Sequence, residues 1–260
     1  MLTRALTAVA AALPSGVKYK MQRFKPLYTS VLTWREPFFR VETRAGWITW
    51  HIDPLTTQPY LRGVHEPYMQ ACFIKFLRTG SVVYDVGAHV GFHALFCGLL
   101  VGSAGRVIAF EPEPRCRESL FRQVAANPDL PVTVLPYALT DCPATLSFRR
   151  FGNGQSHVHP QGELLVEATT IDVLVDTGRI PVPDLIKIDV EGHEEAVLKG
   201  ARQTLSQYRP VVLCDYNPGN TLGAAREILE PLGYEVTGGP PVIGMSQGDR
   251  TGEARGNLPT

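Results

Sequence analysis

A chain of 260 residues, 44% hydrophobic and 19% charged, is long enough for one large α/β domain with a short preface and a tail, and a second independent domain is not expected. Its 25 basic and 25 acidic residues cancel, so no global field draws it onto a nucleic-acid backbone or an acidic membrane. Five cysteines, at positions 72, 97, 116, 142 and 214, are odd in number and lack C-x-x-C spacing, so neither a disulfide framework nor a thiolate zinc site is expected.

The first forty residues read as a helical preface broken by Pro14, Pro26 and Pro37. Within residues 1–50 the basic side chains of Arg4, Lys18, Lys20, Arg23, Lys25, Arg35, Arg40 and Arg44 face only Glu36 and Glu42. They form no consecutive run, so the segment reads as a solvated face beside the core. Ala5 to Leu13 is a short apolar stretch behind Arg4, with alanines at 10–12 that superficially resemble a leader-cleavage site. No stretch approaches a membrane-spanning length.

Val41-Glu42-Thr43 and Trp47-Ile48-Thr49-Trp50-His51-Ile52 alternate on either side of Arg44-Ala45-Gly46, which predicts a small β-hairpin. From Pro67 to Leu77 the apolar residues Tyr68, Cys72, Phe73, Phe76 and Leu77 recur at helical spacing, and Thr79-Gly80 stops the helix. Short β-branched runs then alternate with helical segments, the pattern of a mostly parallel sheet with helices on both faces. Strands are predicted at Val82–Val86, Arg106–Phe110, Val132–Tyr137, Leu185–Ile188 and Val211–Asp215, with a late strand at Tyr234–Thr237. Helices are predicted near Gly91–Leu100, Pro114–Ala126, His193–Leu205 and Leu222–Leu229. Residues 1–62 are thus read as a helical and hairpin preface and 63–237 as a doubly wound, Rossmann-like α/β domain. Residues 238–260, rich in Gly and Pro, are read as a poorly ordered tail after one last short run, Val242-Ile243.

The most informative segment is Tyr84-Asp85-Val86-Gly87-Ala88-His89-Val90-Gly91-Phe92-His93, a strand entering a glycine-punctuated turn and then a helix. Its Gly-x-x-x-Gly spacing is not the G-x-G-x-x-G fingerprint that seats a dinucleotide pyrophosphate. Asp85, directly before the turn, would repel a phosphate but favours a cationic ligand such as S-adenosylmethionine (SAM). Glu111 ends the next apolar strand, where a carboxylate can accept hydrogen bonds from both ribose hydroxyls. Taken singly, Asp85 could be a helix cap or turn-former and Glu111 a surface carboxylate. Together in one βαβ unit they describe a nucleoside site without phosphates.

The run from Val83 to Pro112, Ala138-Leu139-Thr140-Asp141, and Ile186-Lys187-Ile188-Asp189-Val190-Glu191-Gly192-His193-Glu194 together resemble the FkbM-type SAM-dependent methyltransferases. Gly63-Val64-His65-Glu66 is similar to that family's lead-in to the first helix. The resemblance implies a seven-stranded class I methyltransferase sheet with SAM across the carboxyl ends of the first strands. It implies that Asp85, Gly87 and Gly91 hold the methionine end, Glu111 the ribose, and Asp141 the adenine end. His89 stands where the family usually has Asn; a histidine there can still donate to a carboxylate, but its protonation would make cofactor affinity depend on pH. Because SAM is made in the cytosol, a cytoplasmic enzyme is expected.

Methyl transfer from a sulfonium is an in-line displacement, so the acceptor must be aligned and an alcohol acceptor must lose a proton. Lys187, Asp189 and Glu191 alternate through the fourth strand's end, and period two puts them on one side, at the edge where open α/β sheets carry their sites. Asp189 is the first candidate for orienting or deprotonating the acceptor, with Glu191, His193 and Glu194 in support; Glu194 fits equally a helix-terminus role. Arg149-Arg150 and the stretch to His159 read as an irregular acceptor loop, in which His157 or His159 offers an alternative base. No metal set is assigned, although Asp189 with Asp215 offers oxygen ligands suited to Mg²⁺. The expected partner is a small-molecule or saccharide hydroxyl. An N-P-P-Y motif for amino-group methylation of nucleic acid is absent, Asp215-Tyr216-Asn217-Pro218 being a different arrangement. The competing readings are a catalytically inactive SAM-fold binding module and a nicotinamide-dependent oxidoreductase.

Overall fold

A computed structural model describes residues 38–52, 55–150, 156–215 and 221–246. The helical preface, most of the basic segment and the apolar stretch from Ala5 lie outside the described residues. The hairpin is formed by β1 (Phe38–Thr43) and β2 (Gly46–His51), paired antiparallel from Thr43↔Gly46 to Phe38↔His51. A short helix α1 (Gln58–Leu61) leads to α2 (Pro67–Phe76), the helix predicted before the sheet.

The domain proper follows as β3 (Val82–Val86), α3 (Phe92–Val101), β4 (Arg106–Phe110), α4 (Pro114–Ala125) and β5 (Val132–Leu135). After a small sheet come α5 (Ile171–Asp176), β10 (Leu185–Ile188), α6 (Glu194–Lys199), α7 (Arg202–Tyr208), β11 (Val211–Cys214), α8 (Thr221–Leu229), β12 (Glu235–Thr237) and β13 (Val242–Met245). Seven strands form one sheet in the order β12-β13-β11-β10-β3-β4-β5, parallel except that β13 runs antiparallel to both neighbours. This is the doubly wound, mostly parallel, Rossmann-like sheet of seven strands that the resemblance implies.

Helices cover both faces, and alternate residues of the strands supply two cores. Tyr84, Val86, Ile108, Phe110, Ile186, Ile188 and Val212 pack on the side of α5, α6, α7 and α8. Val83, Val107, Ala109, Leu185, Val211 and Leu213 pack on the side of α2 and α3. A strand buried on both faces needs an apolar residue at nearly every position, which is why these runs stand out in the sequence.

The hairpin is fastened to the domain by side-chain amides acting as a substitute strand. Gln123 accepts from His51 N and donates to His51 O, both at 2.7 Å; Asn127 does the same for Thr49, also at 2.7 Å. Each amide satisfies one donor and one acceptor on the open edge of β2, which would otherwise need water or another strand.

Three sequence expectations are corrected. The stretch read as an irregular loop lies within a four-stranded sheet of β6 (Ala138–Leu139), β7 (Ala144–Arg150), β8 (Ser156–Val158) and β9 (Leu164–Thr169), in the order β6-β9-β7-β8. Leu146 and Phe148, then Leu164, Val166 and Ala168, alternate inward onto a small core of their own, a period-two signal hidden between polar residues; residues 151–155 lie outside the described residues. The single helix expected over His193–Leu205 is two, because Gly200 sits against Thr140 O and Asp172 caps the second. The Asp172 carboxylate accepts from Gln203 N at 2.9 Å and Thr204 N at 2.8 Å, satisfying donors at the start of α7. Finally, the sheet runs on to Met245, and the short Val242-Ile243 run is a full strand inserted between β11 and β12.

Candidate active site

The carboxyl ends of β3, β4 and β10 converge, and each ends in a carboxylate: Asp85 inside β3, Glu111 just after β4 and Asp189 just after β10. Asp85 and Glu111 are buried, at 1% and 6% exposure, so neither is a surface carboxylate. Between β3 and α3 the backbone turns through Gly87 (φ 76°), His89 (φ 51°) and Gly91 (φ 93°). A Cβ on Gly87 would overlap Asp189 O, so glycine lets the turn lie directly on the end of β10. At Gly91 a Cβ would overlap the Leu120 side chain, which packs α4 against the start of α3.

Asp85 has a protein partner that the motif does not reveal. Lys187, fully buried in the neighbouring strand β10, places Nζ 2.9 Å from Asp85 Oδ1 and 3.3 Å from Asp189 Oδ2, and donates to Gly87 O at 3.0 Å. Burial alone would strip the lysine of its proton, but Asp85 and Asp189 outweigh it and hold its pKa well above the ordinary value. A buried ammonium with three oxygen partners is fully used, and it fixes the glycine turn against both strands. Asp85 Oδ2 makes no hydrogen bond among the described residues. A signal existed in the sequence: Lys187 is the lone charge within Leu185–Ile188, a strand with every position buried.

Glu111 is held by two backbone donors, His89 N to Oε2 and Glu113 N to Oε1, each at 2.8 Å. Burial raises its pKa to about 7 despite these donors. The bond from His89 comes from its backbone, so any residue at that position could make it; the ring faces Tyr60, with Nδ1 3.3 Å from the Tyr60 hydroxyl.

The expected trio of Lys187, Asp189 and Glu191 is only partly brought together. Lys187 and Asp189 share a side, and the Asp189 side chain is one-quarter exposed at the mouth. Glu191 is exposed and in the left-handed region (φ 54°), because the strand ends at Ile188 and period two ends with it. Glu194 is buried and accepts from Gly192 N at 3.0 Å, so it braces this turn. His193 Nε2 lies 2.9 Å from Thr140 Oγ1, and burial lowers its pKa against the opposing charges of Asp141 and Glu194, leaving a neutral imidazole. Asp141 is exposed beside it, with Oδ1 3.3 Å from Thr140 Oγ1. The alternative bases lie in the small sheet, where Arg149 pairs with His157 in β7–β8 register and His159 Nδ1 accepts from Gln161 N. Among the described residues the metal-capable trio is His65, Glu66 and His93, and Asp215 belongs to no such group.

The chain is 35% identical over 139 residues to the hexuronic acid methyltransferase AglP of Haloferax volcanii, an alignment covering 51% of this chain and 55% of that protein. The chain therefore spans about half the length of that relative. It is 28% identical over 210 residues to the methyltransferase sdnD of Sordaria araneosa, covering 66% of this chain and 81% of the relative. In structure it is similar to a methyltransferase FkbM from Methylobacillus flagellatus KT, at 16% identity and a TM-score of 0.48, over 73% of this chain and 55% of the other. The methyltransferase FkbM domain pattern matches residues 85–236, from the buried acid of β3 to the last parallel strand, and so includes the glycine turn, Glu111 and the Lys187–Asp189 strand end. With more than half of its length under that pattern, the chain belongs to the methyltransferase FkbM domain family.

Proposed function

We propose that this protein transfers a methyl group from SAM to a hydroxyl of a saccharide or related small molecule. The observation that carries the reading is the pair of buried carboxylates, Asp85 and Glu111, at the ends of adjacent strands around a glycine turn. Asp85 Oδ2, unpartnered among the described residues, suits the cofactor's ammonium. Glu111 is oriented by one N–H on each oxygen and keeps a lone pair on each for the ribose hydroxyls. The carboxylate of Asp85 before the turn and the Gly-x-x-x-Gly spacing, which lacks the third glycine of the dinucleotide fingerprint, argue against a nicotinamide cofactor. SAM supplies an electrophilic methyl on a sulfonium when bound. Asp189, at the mouth and held by Lys187, is placed to orient the acceptor hydroxyl or accept its proton. The neutral imidazole of His193, held by Thr140, is the second proton acceptor. Asp141, next to Thr140, carries the adenine-end role by the family resemblance alone. A saccharide acceptor is supported by the hexuronic acid named for the Haloferax relative.

The test is calorimetric titration with SAM, S-adenosylhomocysteine and NAD, followed by transfer of labelled methyl to a panel of monosaccharides and uronates. SAM and S-adenosylhomocysteine should bind, and Asp85→Asn and Glu111→Gln should weaken both. Asp189→Asn should keep SAM binding and lose transfer by about 10²–10⁴-fold, the range for a positioned general base. Binding of NAD in place of SAM would overturn the reading.

A further inference from the structure

His65, Glu66 and His93 converge where the lead-in to α2 meets the first turn of α3. His65 Nε2 lies 3.2 Å from Glu66 Oε1, and His93 Nε2 lies 3.7 Å from Glu66 Oε2. The ligand-type atoms of the three residues all fall within 4.8 Å of one another, and the two imidazoles stack with centroids 5.2 Å apart. The His93 side chain is 5% exposed, and neither its Nε2 nor Glu66 Oε2 has a hydrogen-bond partner among the described residues. Leaving two such buried atoms unsatisfied costs about 1–3 kcal/mol each, a cost that a shared ligand between them would remove.

The backbone is shaped to bring them together. Glu66 is a non-glycine residue in the left-handed region (φ 46°), directly before Pro67 at the start of α2. Gln70 Nε2 donates to Gly63 O at 3.2 Å and His65 O at 2.7 Å, holding the lead-in loop from inside.

We infer that His65, Glu66 and His93 bind one divalent transition-metal ion, of which Zn²⁺ is the type, through two imidazoles and one carboxylate. Tetrahedral coordination at about 2.0–2.1 Å from metal to ligand puts ligand atoms roughly 3.3 Å apart; Glu66 meets His65 through Oε1 at 3.2 Å and His93 through Oε2 at 3.7 Å, and the three ligand atoms, within 4.8 Å of one another, need to draw in only slightly around an ion. Two imidazoles select against Mg²⁺ and Ca²⁺, which take oxygen. Side chains of His65 and Glu66, at 26% and 37% exposure, leave the fourth position facing solvent. The ion would clamp the lead-in loop to the helix that follows the glycine turn.

The test uses the full chain, stripped with a chelator and titrated with Co²⁺, whose visible d–d bands report tetrahedral nitrogen and oxygen ligation. Bands saturating at one equivalent are expected, weakened at least about 10-fold in His65→Ala and in Glu66→Gln, since even outer-shell changes cost 10–100-fold at such sites. The double variant His157→Ala, His159→Ala should leave them unchanged, and Zn²⁺ should raise the melting temperature of the parent protein but not of His65→Ala. Absent bands, bands that persist in His65→Ala and Glu66→Gln, or bands lost with His157 and His159 would each overturn the inference. So would a Glu66→Gln variant that loses SAM affinity when the parent takes up no metal, since that assigns Glu66 to the cofactor's ammonium.

Discussion

Glu111 shows how one residue couples stability and binding to pH. Its pKa of about 7 in the folded protein stands above the ordinary 4.5, so the native state keeps the proton longer than the unfolded chain does. The contribution of Glu111 to stability is therefore fully present below about pH 4.5 and is lost as pH rises through about 7. The loss is about 3 kcal/mol, from roughly 1.4 kcal/mol per pKa unit. Ribose hydroxyls need the ionised carboxylate as acceptor, so cofactor affinity should move the other way. Scaling apparent affinity by the ionised fraction gives up to about 10-fold tighter SAM binding at pH 8 than at pH 6. Urea denaturation and calorimetry across that range check both slopes, and Glu111→Gln should flatten both; a slope surviving in that variant would pass the role to another group. The position of Glu111 after its strand is readable in the sequence. Its burial and paired backbone donors are not, because His89 N and Glu113 N reach it only once the turn has closed.

At the scale of elements, the glycine turn makes the sharpest prediction. Gly87→Ala puts a side chain into the left-handed region and onto Asp189 O, which is backbone and cannot step aside. A cost above about 2 kcal/mol and loss of SAM binding are expected, since incompatible positive-φ substitutions lose more than the roughly 1 kcal/mol of ordinary glycine effects. Gly91→Ala meets the Leu120 side chain, which can turn, so a smaller loss is expected. Melting temperatures of the two variants, with and without SAM, check the order. The bounds of β3, β4 and β10 match the sequence reading residue for residue, because strands buried on both faces carry near-continuous apolar runs. The small sheet of β6 to β9 escapes that reading, because only one face of each strand is apolar and polar residues interrupt the pattern.

For the whole molecule, strand order matters more than strand existence. β13 lies between β11 and β12, with Val212↔Gly244 and Val236↔Gly244 in register, although it is the last strand among the described residues. A chain cut after Thr237 would strip β11 of its neighbour and uncover Val212 and Leu213, so it should aggregate on expression while the full chain remains monodisperse by size-exclusion chromatography. Soluble, folded protein from that cut would show that the sheet closes without its last strand. By itself the sequence determined the alternating βα order, the glycine turn with its two flanking acids, and the family, since these rest on local periodicity and on spacing within one βαβ unit. Only the tertiary structure decided that Lys187 neutralises Asp85 across some hundred residues and that Glu191 sits exposed in the left-handed region while Asp189 is held by Lys187. It also decided that His65 and His93 meet at Glu66 and that side-chain amides hold the hairpin. Those contacts join segments far apart in the chain or turn on a single residue's backbone, and no period in the sequence records which distant groups a fold will bring within 3 Å.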